Sequence, residues 1–342
     1  MAETDVEIAS LDELYQLLPE RNYEPLWRIE GALTPQPKTQ MVPFLWRYDE
    51  ARQLVVRAGD LISAEDADRR VLAFKNPGTA GHEIPRTTDT LWAAIQLVLP
   101  GEVAPPHRHS PAALRYVIEG DGAYTVVDEQ RVAMERGDVI LTPGWTWHEH
   151  RHDGAQPMLW LDGLDLPMVH TLHLVFADFG TPPAQLGSVA ASATPSGALR
   201  PTWSGAPQSR ALVWKLRDAE AMLELLRSEP GSPHDDLILE YRDPSHPGPL
   251  MPTLSAAIQL LRPGVETEPH RHTSSSVYHV VRGSGWSEID GRRLAWGAGD
   301  TFALPVWAEH RHANPGGEDA LLFSFSDRPA VEALGLHREL AG

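Results

Sequence analysis

A long internal repeat constrains this chain more than any other feature of its sequence. Thr90 to His109 reads TLWAAIQLVLPGEVAPPHRH, and Thr253 to His272 reads TLSAAIQLLRPGVETEPHRH, identical at thirteen of twenty positions. The likeness continues less closely through RYVIEGDGAYTVVDEQRVAMERGDVILTPGWTWHEHRH in the first copy and YHVVRGSGWSEIDGRRLAWGAGDTFALPVWAEHRH in the second. Two copies of one unit have to fold alike, so the chain is a tandem duplication and whatever one copy forms, the other repeats.

Each copy is a series of short alternating runs, such as AIQLVL, RYVIEG, AYTVV and DVILTP, separated by Gly, Pro and Asp turns. That is the pattern of an antiparallel sandwich or barrel. The expected class is therefore mainly all-β, one barrel per copy. LDELYQLL and LISAEDADRRVL before the first barrel, and LRDAEAMLELLRS before the second, carry apolar residues at three- and four-residue intervals and predict helical arms. The stretch from about Thr181 to Gln208 turns to Pro, Ala, Ser and Gly and predicts a linker. The expected domains are residues 1–89 as a helical arm with entry strands, 90–180 as the first barrel, 181–252 as linker and arm, and 253–342 as the second barrel.

Composition removes whole classes of function. With 29 basic and 47 acidic residues the formal charge is −18, which repels phosphate backbones and anionic lipid heads. Neither nucleic acid nor a membrane is an expected partner. Cysteine is absent, so disulfides, thiolate nucleophiles and cysteine-held metals are excluded, and any metal has to sit on His, Asp or Glu. The N-terminus MAETDVEIAS has neither the basic nor the apolar region of a secretory signal, and a cytoplasmic location is expected.

Ten of the sixteen histidines fall in the repeated clusters: His107, His109, His148, His150 and His152, then His270, His272, His279, His310 and His312. Residues two apart on a strand share a face, so His107 and His109 present adjacent imidazoles and His148 can add a third from a neighbouring strand. Three neutral imidazoles make a metal site. A lone H-x-H pair is more often solvated or packed in a core, but here both copies keep the pair and the later His. His270, His272 and His310 thus offer a second metal site.

Gly101, His107-Arg108-His109 and Gly120 resemble the first cupin motif, and Gly137, Pro143 and His148 resemble the second. The resemblance implies a bicupin, two double-stranded β-helix jelly-roll barrels. The usual cupin glutamate would fall at Ala113 and at Ser276, so both sites would be three-His sites. More narrowly, Trp145-Thr146-Trp147-His148-Glu149-His150 followed by Trp160-Leu161-Asp162-Gly163-Leu164-Asp165 is similar to the gentisate 1,2-dioxygenase family and its salicylate and 1-hydroxy-2-naphthoate relatives. The PLWR, VPFLWRY and RRVLAFKNPG segments fit the same family, so the resemblance covers nearly the whole chain.

The family implies Fe(II) on His107, His109 and His148, an aromatic acid and O2 as substrates, ring opening between the carboxyl- and hydroxyl-bearing carbons of gentisate to maleylpyruvate, and a homotetramer. An anionic substrate in an acidic chain needs a local cation. Arg115, six residues after His109 and of the same parity, is the expected carboxylate clamp, also where the family places an arginine. His150 shares the parity of His148 and suits proton transfer, with Asp162 expected to orient it or another histidine. Trp92 and Gln96 have the parity to line the cavity, Trp145 and Trp147 flank the third ligand as core or substrate wall, and Arg69 and Arg70 offer a second anion contact. Tyr278 and Ser255 stand where Arg115 and Trp92 stand in the first copy, so the first barrel is the expected catalytic one. Gly144, and Arg151 with His152, depart from the family's usual serine and Gly-Asn pair and bear on substrate preference. The competing readings are a non-enzymatic metal-binding bicupin, and a cupin decarboxylase or isomerase, which would ordinarily keep the glutamate.

Overall fold

The computed structural model describes residues 8–29, 31, 33–67, 69–128, 130–180, 212–243 and 248–341; the expected linker, about 181–208, lies outside them. Two compact units are formed, Met1–Lys38 and Thr39–Gly342. In the first, Ser10 caps the helix Leu11–Glu20 by accepting from the Glu13 amide at 3.2 Å. That places a hydroxyl on an amide the helix itself cannot satisfy. Arg28 packs over the Tyr15 ring at 4.3 Å, and Trp27 Nε1 donates to the Tyr15 hydroxyl at 3.0 Å.

The larger unit holds two barrels, each built from a six-stranded and a five-stranded antiparallel sheet. In the first barrel the six-stranded sheet runs in the order Val213–Trp214, Val139–Thr142, Ala113–Glu119, Met158–Leu164, Trp92–Val98, Arg70–Ala73. Its five-stranded partner runs Ala177–Phe179, Val103–His109, His148–His152, Ala123–Val127, Gln130–Met134. The second barrel repeats both sheets around Ser255–Leu261, Ser276–Arg282 and Ala320–Ser326 on one side and His270–His272 and His310–Ala313 on the other. The alternation of turn and apolar run thus ends as predicted, in strands whose inward faces make a core.

Pairing crosses the boundaries that the sequence pattern suggests. Phe44–Trp46, from the segment before the first barrel, pairs with Thr301–Leu304 of the second, and Val213–Trp214, after the expected linker, returns to pair with the first. The helical expectation for LISAEDADRRVL holds only in part. Helix Tyr48–Leu61 ends at Leu61, one short turn Ala64–Ala67 follows, and Arg70–Ala73 is an edge strand beside Trp92–Val98. Its β-branched and apolar residues gain more by pairing on an open sheet edge than by continuing a helix. Helix Leu216–Leu225 forms as expected and buries Ala219 and Leu223.

One hydrophobic cluster spans both barrels, and a second lies within the second barrel. Tyr116 stacks on Phe323 with centroids 4.6 Å apart, and Gly163 lies so close to Phe325 that a Cβ there would sit 2.7 Å from its ring. Contact at this distance requires glycine. Asp165, closing the first copy, accepts from Thr253 Oγ1 at 2.5 Å, and Asp327, closing the second, accepts from Thr90. The first threonine of each repeat is therefore tied to the last aspartate of the other.

Candidate metal centre

His107 and His109 alternate with Arg108 on their strand, so both imidazoles face one way and Arg108 faces the other. The next strand supplies His148, whose Cα is paired with that of His107. Trp145, three residues before His148, holds a left-handed backbone (φ 64°) and its amide donates to the His109 carbonyl at 2.7 Å. A bulky residue pays strain there. The turn thereby pins the third histidine against the strand of the other two.

The ring centroids lie 4.0 Å (His107–His148), 4.9 Å (His109–His148) and 5.3 Å (His107–His109) apart, and the ligand atoms lie within 4.8 Å of one another. Nδ1 of His109 lies 2.7 Å from the Pro111 carbonyl and Nδ1 of His148 lies 3.0 Å from that of Thr146. Donation from Nδ1 turns Nε2 into the free ligand atom, and His148 Nε2 is buried with no partner. Burial lowers His107 to about 3 and His109 to about 4 and holds His148 well below its ordinary value, so all three are neutral at pH 7. Three neutral, converging imidazoles with an orphaned buried nitrogen fit a metal ion, with open positions remaining for other ligands. Arg69 Nη2 lies 2.5 Å from His107 Nδ1 and donates to the Pro105 carbonyl at 3.0 Å. A metal on His107 Nε2 requires the proton on Nδ1, so Arg69 has to draw back from that ring when an ion is bound.

Arg115 reaches the same interior, but not by parity with His109. Residues 110–112 turn the chain, and Arg115 belongs to Ala113–Glu119 in the opposite sheet. There its Cα is paired with Asp162, whose own Cα is paired with Ala94 on the other side. Arg115 Nε lies 3.2 Å from Asp162 Oδ1, Nη1 donates to Thr142, and both members of the pair are buried. Burial pushes Asp162 up to about 6, with the Arg115 guanidinium acting against it, so the pair is ionised at neutral pH. Asp162 also accepts from Trp160 Nε1 at 3.1 Å. It orients Arg115 and Trp160, not a histidine as expected. The residue that holds His150 is Thr125, 2.8 Å from its Nδ1 on the neighbouring strand, which leaves the buried His150 Nε2 without a partner. Sequence reasoning missed Thr125; the cross-strand pairing of Thr125 with His150 is what brings them together.

Direct cross-strand partners share a face, so Trp92 and Gln96 stand on the same inward face as Asp162 and Arg115, and Gln96 is buried with Nε2 unpaired. Gln96, Arg69 and Ala104 line one narrow crevice. Arg70 borders the same crevice, but its guanidinium is already engaged: it forms an ion pair with Glu102 and donates to the Gly59 and Ile62 carbonyls. Trp147 and Trp145 are not at the triad either. Both lie against Arg108, with its guanidinium carbon 5.0 and 4.0 Å from their rings, on the face of the strand turned away from His107 and His109. An odd–even offset from His148 explains this: Trp147 faces outward because His148 faces inward. Phe179, on a strand not anticipated, stacks on His107 at 6.3 Å and 13°.

The second triad repeats the first. His270–His310, His272–His310 and His270–His272 centroids are 4.1, 5.0 and 5.7 Å apart. His150 also has a counterpart, although Arg115 does not: His312 Nδ1 lies 2.7 Å from Ser287 Oγ. His279 faces the other way, with its ring 5.4 Å from Tyr116 of the first barrel, and His152 Nε2 is 2.5 Å from the Gln156 carbonyl.

Comparison with known proteins agrees with this geometry. The cupin domain family matches residues 94–164 and 257–326. The chain is 38% identical to gentisate 1,2-dioxygenase 1 of Aquipseudomonas alcaligenes over 96% of its own length and 95% of the relative's. It is also 38% identical to a 5-aminosalicylate 1,2-dioxygenase of Comamonas sp., over 97% and 90%. The crystal structure of a salicylate 1,2-dioxygenase from Pseudaminobacter salicylatoxidans superposes with a TM-score of 0.86 at 32% identity, covering 99% of both chains; that enzyme has also been solved with gentisate. A duplicated cupin of this identity, matched from end to end, belongs to the gentisate 1,2-dioxygenase family and is an enzyme of the dioxygenase type.

Proposed function

We propose that the first barrel is an Fe(II) site that opens the ring of gentisate with O2, yielding maleylpyruvate with both oxygen atoms retained, and that His107, His109 and His148 are the ligands. Iron held by three neutral imidazoles supplies open positions for a chelating aromatic acid and for oxygen side by side. The observation that carries the reading is the buried Arg115–Asp162 pair on the face opposite the triad. Arg115 binds the substrate carboxylate, because a buried, always-charged guanidinium is the strongest partner available to it. Asp162 holds that guanidinium in place and, by balancing its charge, makes its burial tolerable. His150, neutral and held by Thr125, takes the ring hydroxyl proton at its unpaired Nε2 and returns it later. Trp92 and Gln96 flank the ring, and Arg69, once off His107, adds a second cation toward the substrate.

Salicylate and 1-hydroxy-2-naphthoate are the alternative substrates, since they carry the same carboxylate beside a hydroxyl and the clamp reads only that group. We place the enzyme in the cytoplasm, where O2 and small aromatic acids reach it, and as a homotetramer. Leu26, Trp27 and Leu33 are 62%, 71% and 91% exposed in the N-terminal unit, which supports burial against a neighbouring subunit. Among the described residues no helix is long and apolar enough to cross a membrane.

The test is anaerobic loading with ferrous iron, then oxygen uptake and absorbance with gentisate, salicylate and 1-hydroxy-2-naphthoate in parallel. Iron-dependent uptake matched one to one by a ring-opened chromophore is expected with gentisate. Iron binding with no oxygen uptake for any of the three would overturn the reading.

A further inference from the structure

The second barrel carries an inference that does not depend on the reaction assigned to the first. Its triad reproduces the first to within a few tenths of an ångström, with His272 Nδ1 2.8 Å from the Ser274 carbonyl and His310 Nδ1 3.0 Å from that of Ala308. His310 Nε2 is buried and has no partner. The two features that turn the first cluster into a ligand set, carbonyl-oriented rings and an orphaned inward nitrogen, are therefore both present.

What faces this triad is different in kind. The pairing Ser255–Ser326–Ser276 occupies the row that Trp92, Leu164 and Ala113 form in the first barrel, and Ala257–Ser324–Tyr278 occupies the row of Ala94, Asp162 and Arg115. Replacing Trp, Arg and Asp by Ser, Tyr and Ser removes bulk and both charges. A cavity of about 490 Å³ opens there, bordered by His270, His272, Ser255, Ser276, Tyr278 and Ser324. That volume suits a small ligand. Burial keeps the Tyr278 phenol protonated, so it contributes a hydroxyl and no charge. At the cavity edge Arg328 is held by Glu332 at 2.7 Å and Arg242 by Glu240 at 2.6 Å, and Asp235 and Glu339 add further acid. A carboxylate entering this cavity meets hydroxyls, two arginines each already paired to a glutamate, and two further acids, so beyond the metal itself no protein cation is offered to it. An uncharged molecule with adjacent hydroxyl groups meets donors, acceptors and a metal to chelate.

We propose that the second barrel binds its own divalent metal on His270, His272 and His310, and that its cavity takes an uncharged, vicinally dihydroxylated ligand rather than an aromatic carboxylate.

Metal-free full-length protein titrated with cobalt(II), read by visible absorption and by metal analysis after gel filtration, is expected to bind two ions per chain. His109→Ala/His148→Ala protein, with circular dichroism unchanged, should bind one, and His270→Ala/His310→Ala protein should bind one. In the His109→Ala/His148→Ala protein, catechol should shift the cobalt bands at a concentration at least ten-fold below that needed for salicylate. One ion per chain in the wild type, or loss of all cobalt in His109→Ala/His148→Ala, overturns the second site. Equal or stronger binding of salicylate overturns the ligand class. Should a variant not fold, the wild-type stoichiometry decides the metal, and catechol against salicylate on the wild type's second cobalt equivalent decides the ligand.

Discussion

The two barrels share a backbone plan, a histidine triad and a further inward histidine held by a hydroxyl on the adjoining strand, Thr125 under His150 and Ser287 under His312. They differ on the facing sheet, where one carries Trp92, Arg115 and Asp162 and the other Ser255, Tyr278 and Ser324. The histidine triads thus lie in the five-stranded sheet, which the duplication preserved, and the row that the proposed function makes the substrate contact lies in the six-stranded sheet, which diverged. A buried ion pair is costly to keep unless something uses it. On the function proposed above, its absence from the second barrel, with hydroxyls in its place, assigns the organic anion to the first barrel.

The most direct way to break this comparison is to write the second barrel's row into the first. Arg115→Tyr with Asp162→Ser removes clamp and counter-charge together, so no lone charge is left buried. On the order of a thousand-fold loss in kcat/KM for the aromatic acid is expected, from the roughly 2–5 kcal/mol that a buried charge partner contributes. Iron content measured on the same sample should be unchanged. Retained turnover would show that the six-stranded sheet does not select the substrate.

Removing one partner sharpens the point. Arg115→Ala should raise KM by about a hundred-fold with iron still bound, and it also strands Asp162 in the interior, a loss of about 3 kcal/mol in folding stability. Urea unfolding should therefore rank this single variant below the Arg115→Tyr/Asp162→Ser double variant. The opposite ranking would mean that Asp162 is sufficiently solvated to stand alone.

A smaller effect is expected at Thr125. Thr125→Val removes the hydroxyl that holds His150 while keeping the β-branched shape, so kcat should drop about ten-fold, KM should move little, and the acid limb of the pH profile should shift. Thr125→Ser should restore both. If kcat and the profile stay put in the valine variant, His150 is positioned by something else.

The repeat, the turn spacing and the H-x-H pairs made the two barrels and both triads legible in the sequence, because strand parity and duplication act over a few residues or over whole copies. Contacts set by register between distant strands were not legible. Thr125 reaches His150 only through cross-strand pairing, and Asp162 meets Arg115 in the same way. Ala177–Phe179 and Glu339–Ala341, each following a short helix, close on the ligand strands although three residues carry no detectable alternation. Parity did state that Trp147 faces away from His148, and proximity in the chain is no substitute for it.

The smallest effect lies where the barrels meet, and there the comparison turns on a single titratable group. His279 in the second copy stands at the position of Tyr116 in the first, and the two rings face each other at 5.4 Å across the shared core. His279 Nδ1 lies 3.1 Å from Thr301 Oγ1, and burial lowers its pKa from 6.5 to about 3. A group that binds its proton more weakly folded than unfolded contributes stability above its unfolded pKa, and that stability is lost as pH falls below about 6.5 toward 3. At pH 5 the loss amounts to about 1.5 units of pH, or about 2 kcal/mol. His279→Phe keeps a ring against Tyr116 and removes the titration, at the loss of one hydrogen bond worth about 1 kcal/mol. Wild type should therefore be the more stable protein in urea at pH 7, and the variant should equal or pass it at pH 5. The other buried histidines weaken both proteins alike and cancel in the difference. Parallel decline of the two unfolding midpoints between pH 7 and pH 5 would mean that His279 takes up its proton without leaving the core, and that the barrels part there more readily than their packing implies.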